Sequence, residues 1–353
     1  MKPTKPNGAG VLTAEAPSVA QSTPDLERIF TMLTAFQQTA ALRGAIELDL
    51  FTAIGEGNTD PDSLARRCQS STRGVRVLCD YLTVRGLLTK EDGRYGLAPD
   101  AALFLDRQSP ACVASTARFL NSPYLMECFQ DVAGLVRKGG TLRPGGGSVA
   151  PDNPMWVDFA QCMVPLMMPV AEWIAERLEA DGAPHRVLDI AAGHGMFGIA
   201  VARRHPEATV VAMDWPAVLQ VARQNAERAG VADRYETLAG DAFAAEFGSG
   251  YDVVLLTNFL HHFDPATCER LLGKVHRCLQ PGGRVITLEF VPNEDRVSPP
   301  IPAAFSLMML GSTDHGQAYT FAELSTMFAR AGFASTELHQ PPRTRQQVLI
   351  SRT

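Results

Sequence analysis

From residue 186 to residue 290 the chain alternates short apolar, β-rich runs with longer helical ones, and no other feature restricts the fold as much. The strand-like runs cover 186–190, 209–213, 235–238, 253–256 and 285–290, while helical runs reach to about Arg204 and cover 216–229 and 265–279. Strands separated by helices pair in parallel, and a parallel sheet needs helices on both faces to bury it. The C-terminal half is therefore expected to be an α/β unit built on a mostly parallel sheet. At 353 residues the chain is too long for one ordinary core. The N-terminal half must form a second unit, and no internal repeat relates the two.

Residues 1–22 carry Pro3, Pro6 and Pro17 among Gly, Ala, Ser and Thr without an apolar period, which predicts a disordered tail. From Leu26 onward Ile29, Phe30, Leu33, Phe36, Ala40, Ile46, Leu50 and Phe51 recur at helical spacing, so these helices present apolar faces that need a partner. Asp60 followed by Pro61 reads as an N-cap and first helical residue. A second helix runs through Val75, Leu78, Tyr81 and Leu82, and strands at 87–89 and 94–97 flank the turn dipeptide Asp92-Gly93. Helix, helix, hairpin is the order of a winged helix. Over residues 60–94 seven basic side chains face five acidic ones, an excess too small to demand DNA. Gly139-Gly140 and the glycine-rich run 144–148 read as a flexible connection, followed by helix from Trp156 to about Leu178. The expected division is a tail at 1–22, a winged-helix unit at 23–110, a helical connection at 111–178 contributing to a substrate pocket, and the α/β unit at 179–353.

With 46% hydrophobic and 20% charged residues the chain can fill a sizeable interior. Its 32 Lys and Arg against 38 Asp and Glu leave a net charge of −6, which offers no general attraction to nucleic-acid phosphates. Seven scattered cysteines without a CxxC pair suit neither a disulfide framework nor a zinc ribbon, and so point to a reducing, cytoplasmic compartment. No run reaches the roughly 18 apolar residues of a membrane span, and the N-terminus lacks the apolar centre of a signal peptide.

Residues with chemistry gather at strand ends. In the run from Val187 to Gly195 the acid Asp189 sits near the end of a buried strand, and Gly193 and Gly195 open the turn into a helix. A ligand can then approach bare backbone at a helix N-terminus. Asp214 ends the next strand, close to the spacing at which nucleotide-binding folds hold ribose hydroxyls with a carboxylate. Gly240-Asp241-Ala242-Phe243 follows the third strand, with a carboxylate and a ring suited to adenine. Gly193, Gly195 and Gly198 can be forced into the GxGxxG register of an NAD enzyme, but an acid beside the turn repels pyrophosphate and suits a cationic amino group. S-adenosylmethionine carries such a group.

Asp214-Trp215-Pro216 with Val218, Gly240-Asp241-Ala242-Phe243, Leu260-His261-His262-Phe263-Asp264, Pro281-Gly282-Gly283-Arg284-Val285 and Glu289 form one ordered series. Through it, from about Leu26 to the C-terminus, the chain resembles the small-molecule O-methyltransferase family typified by plant caffeate and hydroxyindole O-methyltransferases. The resemblance implies a Rossmann-like class I methyltransferase domain behind an N-terminal, mainly helical winged-helix dimerisation domain. It also implies S-adenosyl-L-methionine as cofactor, a small-molecule methyl acceptor and a homodimer, with neither nucleic acid nor membrane as partner. By the same resemblance Asp189, Gly193 and Gly195 face the methionine part of the cofactor, Asp214 the ribose, and Asp241 with Phe243 the adenine. Trp215, Gly240, Ala242 and Thr257 complete the cofactor-binding set. His261 matches the catalytic base and Glu289 the acid that orients it. Thr257 stands where plant members usually carry a cofactor-contacting lysine, and Ala318 near the place of a second acid beside the base.

Each assignment has a plainer counterpart: structural hydrogen bonding for His261 and His262, an ordinary strand-end acid for Glu289. Met163, Met167, Met168, Met308 and Met309 are expected to line the acceptor pocket, since thioethers adapt to flat aromatic ligands; core packing is the alternative. His315 with His261 would make a metal pair, but two histidines without a placed carboxylate assign no metal. Because a sulfonium is already an excellent leaving group, the protein has chiefly to align the acceptor and exclude water. A base matters only where the acceptor loses a proton: a phenol of pKa about 10 is protonated at neutral pH, and an imidazole of about 6.5 can take that proton. The expected activity is methylation of a hydroxyl on a small aromatic molecule. C- or N-methylation on the same scaffold is one alternative, and a cofactor-sensing winged-helix regulator is another.

Overall fold

Residues 24–179, 182–342 and 344–353 are described by a computed structural model; the tail expected at 1–22 lies outside the described residues. Helices α1 (Leu26–Leu33), α2 (Ala35–Glu47) and α3 (Leu50–Gly55) open the chain. Asp60 caps α4 (Pro61–Arg67) as its sequence predicts, its Oδ1 accepting from the amides of Asp62 at 3.1 Å and Ser63 at 2.9 Å. Helix α5 (Thr72–Val84) leads into β1 (Leu88–Glu91) and β2 (Arg94–Leu97), which pair antiparallel across Asp92 and Gly93. Both turn residues have left-handed φ, 48° and 80°, the geometry that matches the twist of a two-residue hairpin. Leu50, Phe51, Leu64, Val75, Leu82 and Tyr95 form the core of this unit, closed by α6 (Pro99–Phe104). Helix α1 adds no buried residue; Leu26, Ile29, Phe30 and Leu33, with Phe36 beyond it, stay 47% to 70% exposed.

Short helices α7 (Thr116–Leu120), α8 (Pro123–Glu127) and α9 (Val132–Lys138) follow. The glycine-rich segment after them is packed, contrary to the flexible connection expected there. Thr141 is fully buried and its amide donates to the Thr313 carbonyl at 2.8 Å. A Cβ on Gly140 would overlap the Asp314 backbone, and one on Gly147 the Ser312 carbonyl. These glycines permit close backbone contact, which composition alone does not separate from flexibility. Helices α10 (Met155–Cys162) and α11 (Val164–Glu179) then pack on the second unit.

That unit runs β3 (Arg186–Ile190), α12 (Met196–Arg204), β4 (Thr209–Asp214), α13 (Pro216–Arg228), β5 (Tyr235–Ala239), β6 (Tyr251–Thr257), α14 (Pro265–Cys278), β7 (Leu279–Glu289), α15 (Pro300–Ser312), α16 (Phe321–Arg330), β8 (Ser335–His339) and β9 (Gln347–Arg352). The sheet order is β5-β4-β3-β6-β7-β9-β8. The five expected strands are parallel; β9 and β8, beyond them, add an antiparallel edge. Helices α11 and α12 cover one face, α14 and α16 the other. The chain works outward from β3 to β5 and returns at β6, so the switch point where open α/β sheets bind ligands lies between β3 and β6. Register aligns the strand ends there: Ile190 lies opposite both Met213 and Leu256, Thr257 opposite Leu288, and Asp214 opposite Ala239. Among the described residues no helix is long and apolar enough to cross a membrane.

Candidate active site

The turn from β3 into α12 is held open by its backbone. Ala191, Gly193 and Gly195 have φ of 54°, 57° and 75°, and a Cβ on Gly195 would overlap the Tyr235 hydroxyl. From the end of β4, Asp214 grips this turn: its Oδ2 accepts from the Gly193 amide at 2.8 Å and its Oδ1 from the Trp215 amide at 2.7 Å. Each oxygen keeps a further lone pair for a ligand hydroxyl. Burial raises the Asp214 carboxyl from 3.8 to about 6. Asp189, expected on the open side of the turn, is fully buried behind it. Its Oδ2 accepts from the Gly198 amide at 3.1 Å, its Oδ1 has no protein partner among the described residues, and burial pushes it to about 7. Its contact is with the first turn of α12, because the side chain of the penultimate strand residue points under the helix.

One strand further out, Gly240 has φ of 147° and starts a single turn over residues 241–245. The Asp241 carbonyl accepts from the amides of Ala244 (3.0 Å) and Ala245 (2.8 Å), and its Oδ1 from the Phe243 amide (2.8 Å). This leaves Asp241 Oδ2 without a protein partner among the described residues. The Phe243 ring meets Phe263 edge-on with centroids 4.9 Å apart.

Across the switch point, β6 ends in buried Thr257, and Asn258 turns the chain with φ of 56° into a short 3-10 turn, Leu260–His262. Glu289, ending β7 and 2% exposed, organises this turn. Its Oε1 accepts from the amides of Leu260 at 2.9 Å and Phe259 at 3.2 Å, and its Oε2 pairs with His261 Nδ1. A carboxylate on Nδ1 fixes the proton there and leaves Nε2 with a lone pair. The His261 ring rests edge-on against Phe305 at 4.9 Å, and Gly316 packs on its carbonyl so closely that a Cβ would overlap it. His262 is a different group. It is buried against Trp156, edge-on at 5.2 Å, with no partner on Nδ1 among the described residues, and burial, helped by His261, pushes its imidazole well below the ordinary range.

Met163 and Met167 belong to the core between α11 and the sheet, although the Met167 sulfur accepts from Asn258 Nδ2 at 3.8 Å. Met309 is buried, and Met168 and Met308 are half-buried. Ala318 is fully buried and His315 exposed; among the described residues no three His, Cys, Asp or Glu side chains are placed to hold a metal ion. Three site residues have no role in the sequence reading: Trp156, Phe159 and His194. Phe159 of α10 stacks on His194 at 6.0 Å and lies 3.6 Å from where a Gly193 Cβ would be, roofing the glycine turn. His194 Nδ1 accepts from the Met196 amide at 3.1 Å, and burial lowers it to about 4, so the ring is neutral. The available signal was the i, i+3 aromatic pair Trp156 and Phe159 on one face of a short helix.

Residues 174–334 match the O-methyltransferase domain, and residues 30–107 the O-methyltransferase dimerisation domain. A candidate O-methyltransferase of Nostoc punctiforme, known as a crystal structure, is 48% identical with a TM-score of 0.92, over 94% of this chain and 100% of that one. The 3-hydroxy-5-methyl-1-naphthoate 3-O-methyltransferase of Streptomyces sahachiroi is 29% identical over 85% of this chain and 87% of its own. Human N-acetylserotonin methyltransferase, solved in complex with S-adenosylmethionine, shares the fold at a TM-score of 0.81 and 20% identity, over 94% and 99% of the two chains.

Proposed function

The chain belongs to the O-methyltransferase family, and from that premise we propose that it methylates a hydroxyl of a small aromatic molecule with His261 as base. The observation that carries this reading is the pairing of His261 with Glu289 across the switch point from the two carboxylates that suit a nucleoside. The residues present fit S-adenosylmethionine: Asp214 and Asp241 have unfilled acceptor positions, and the glycine turn, with left-handed φ at Ala191, Gly193 and Gly195, offers a cradle of bare backbone at a helix N-terminus. When bound, this cofactor supplies a methyl group on a sulfonium that needs no further activation.

The chain's own part is alignment and proton removal. Asp214 accepts the ribose hydroxyls, Asp241 accepts from the adenine amino group, and Phe243 offers its ring to the base. His261 Nε2 takes the proton of the acceptor hydroxyl as its oxygen becomes nucleophilic, and Glu289 stabilises the resulting imidazolium through Nδ1. Trp156, Phe159 and Phe305 exclude water from this space. The buried, neutral His262 supports the aromatic wall. The experiment is a screen of phenols, hydroxyindoles and quinols with labelled cofactor, the methyl located by mass spectrometry. His261→Ala should lower the rate on a phenolic acceptor about 10²–10⁴-fold with cofactor affinity unchanged, and His262→Ala much less. A methyl group found on carbon or nitrogen, or a fully active His261→Ala, contradicts it.

The N-terminal unit, in this reading, is a winged-helix scaffold for a cytoplasmic homodimer. The exposed apolar side chains of α1 and the beginning of α2 support a protein partner there in preference to DNA.

A further inference from the structure

The turn over residues 241–245 satisfies the amides of Phe243, Ala244 and Ala245 from within, through the Asp241 carboxylate and carbonyl, but not the carbonyls that follow Asp241. Those of Ala242, Phe243 and Ala245 converge on one ammonium. Lys274 Nζ donates to Ala242 O at 3.0 Å, to Phe243 O at 3.4 Å and to Ala245 O, and lies over the Phe247 ring, 4.1 Å from its centroid. We propose that Lys274 is a positioning residue for the cofactor's adenine, clamping the turn that carries Asp241 and Phe243 onto α14. The inference rests on the reading of that turn as the adenine site.

The chemistry favours lysine at this place. An ammonium presents three donors from a single point, as three converging carbonyls require, whereas the planar guanidinium fork of arginine spreads its donors apart. The charge also makes each bond stronger than a neutral one. Helix α14 gives the clamp its second consequence. Its N-cap, Asp264, accepts from the Thr267 amide at 2.9 Å and follows directly on the turn bearing His261. Ten residues of helix, about 15 Å, join that cap to Lys274. The same rigid rod therefore holds the base at one end and the adenine turn along its length, which fixes the distance between cofactor and acceptor.

Calorimetric titration of the full chain with S-adenosylhomocysteine and S-inosylhomocysteine tests this, since the second replaces the adenine amino group by oxygen. The wild type should prefer the adenine form about tenfold or more, because the inosine form sets an oxygen against the half-buried Asp241 carboxylate in place of a donor. Lys274→Met should weaken the adenine form about 10- to 30-fold and the inosine form about threefold. Equal weakening of both forms, or none, overturns the proposal by making Lys274 merely structural or idle. If Lys274→Met does not fold, Lys274→Arg answers the same question: a smaller but still adenine-selective loss supports the clamp, and unchanged affinities refute it. A wild type that binds both forms equally overturns the adenine reading itself, before any variant is made.

Discussion

Glu289 concentrates three demands in one carboxylate, and its two oxygens divide them: Oε1 holds two backbone amides of the 3-10 turn while Oε2 fixes the His261 tautomer. Glu289→Gln separates them. The amide oxygen can still take the backbone donors, but its NH2 then faces Nδ1, which must accept, so the proton moves to Nε2 and the base is lost. The expected result is a fall in rate of about 10²–10⁴-fold on a phenolic acceptor with unchanged S-adenosylhomocysteine affinity; single-turnover rates beside a binding isotherm decide it. Asp214→Ala acts on binding instead, since two ribose donors and the Gly193 amide lose their acceptor; about 2–4 kcal/mol of cofactor affinity should disappear. The same residue sets a pH dependence. Its carboxyl titrates near 6 when folded against 3.8 ordinarily, so between those values the folded chain keeps a proton that the unfolded chain releases. This group therefore favours folding as the pH falls from about 6 to about 4, and burdens it above 6. Cofactor binding runs oppositely, because hydroxyl donors need the ionised form: affinity should drop toward tenfold per pH unit below about 6. Calorimetry at pH 5 and pH 7.5 giving equal affinities contradicts the assignment.

Among the elements, those with local instructions were legible. Asp60 with Pro61 and the Asp92-Gly93 hairpin each place a start or turn where the structure has one, because a cap or left-handed turn is decided by residues three or four apart. The glycine-rich segment before α10 was misread because its glycines serve contacts with α15 and the loop after it, more than 160 residues away in sequence. Gly195 combines both kinds of constraint: φ of 75° and the Tyr235 hydroxyl in the space of a Cβ. Gly195→Ala should cost about 1–3 kcal/mol of stability and weaken cofactor binding, since the turn cannot keep its shape. Thermal unfolding with and without S-adenosylhomocysteine measures both, and an unchanged melting temperature with normal binding would show that the turn tolerates a side chain.

In the whole molecule α1 keeps its apolar face uncovered. Six large apolar side chains between Leu26 and Phe36 stay about half exposed or more, and surfaces of this kind are the signature of a partner. Removal of residues 1–20 should leave a dimer, while removal of 1–55 should expose the Leu64 and Val75 core and cause aggregation. A full chain that sediments as a monomer across micromolar concentrations would dispose of the homodimer.

What the sequence determined by itself was whatever depends on short spacing: the β/α alternation, the five parallel strands, the acids at strand ends, and the ordered motifs that marked the family. Asp214 and Asp241 were found this way because each closes an apolar strand, or the turn after it, and so must lie on the carboxyl rim; His261 and Glu289 were marked by the family resemblance. Tertiary structure alone decided which way these groups face and what completes them. It put the Asp189 carboxylate behind the turn, brought Phe159 over Gly193, joined Glu289 to amides about 30 residues earlier, and closed Lys274 on three carbonyls. The reason is physical: periodicity fixes the face a side chain shares with its near neighbours, but contacts between distant residues follow from strand order and helix packing, and these are set by the burial of the whole core at once.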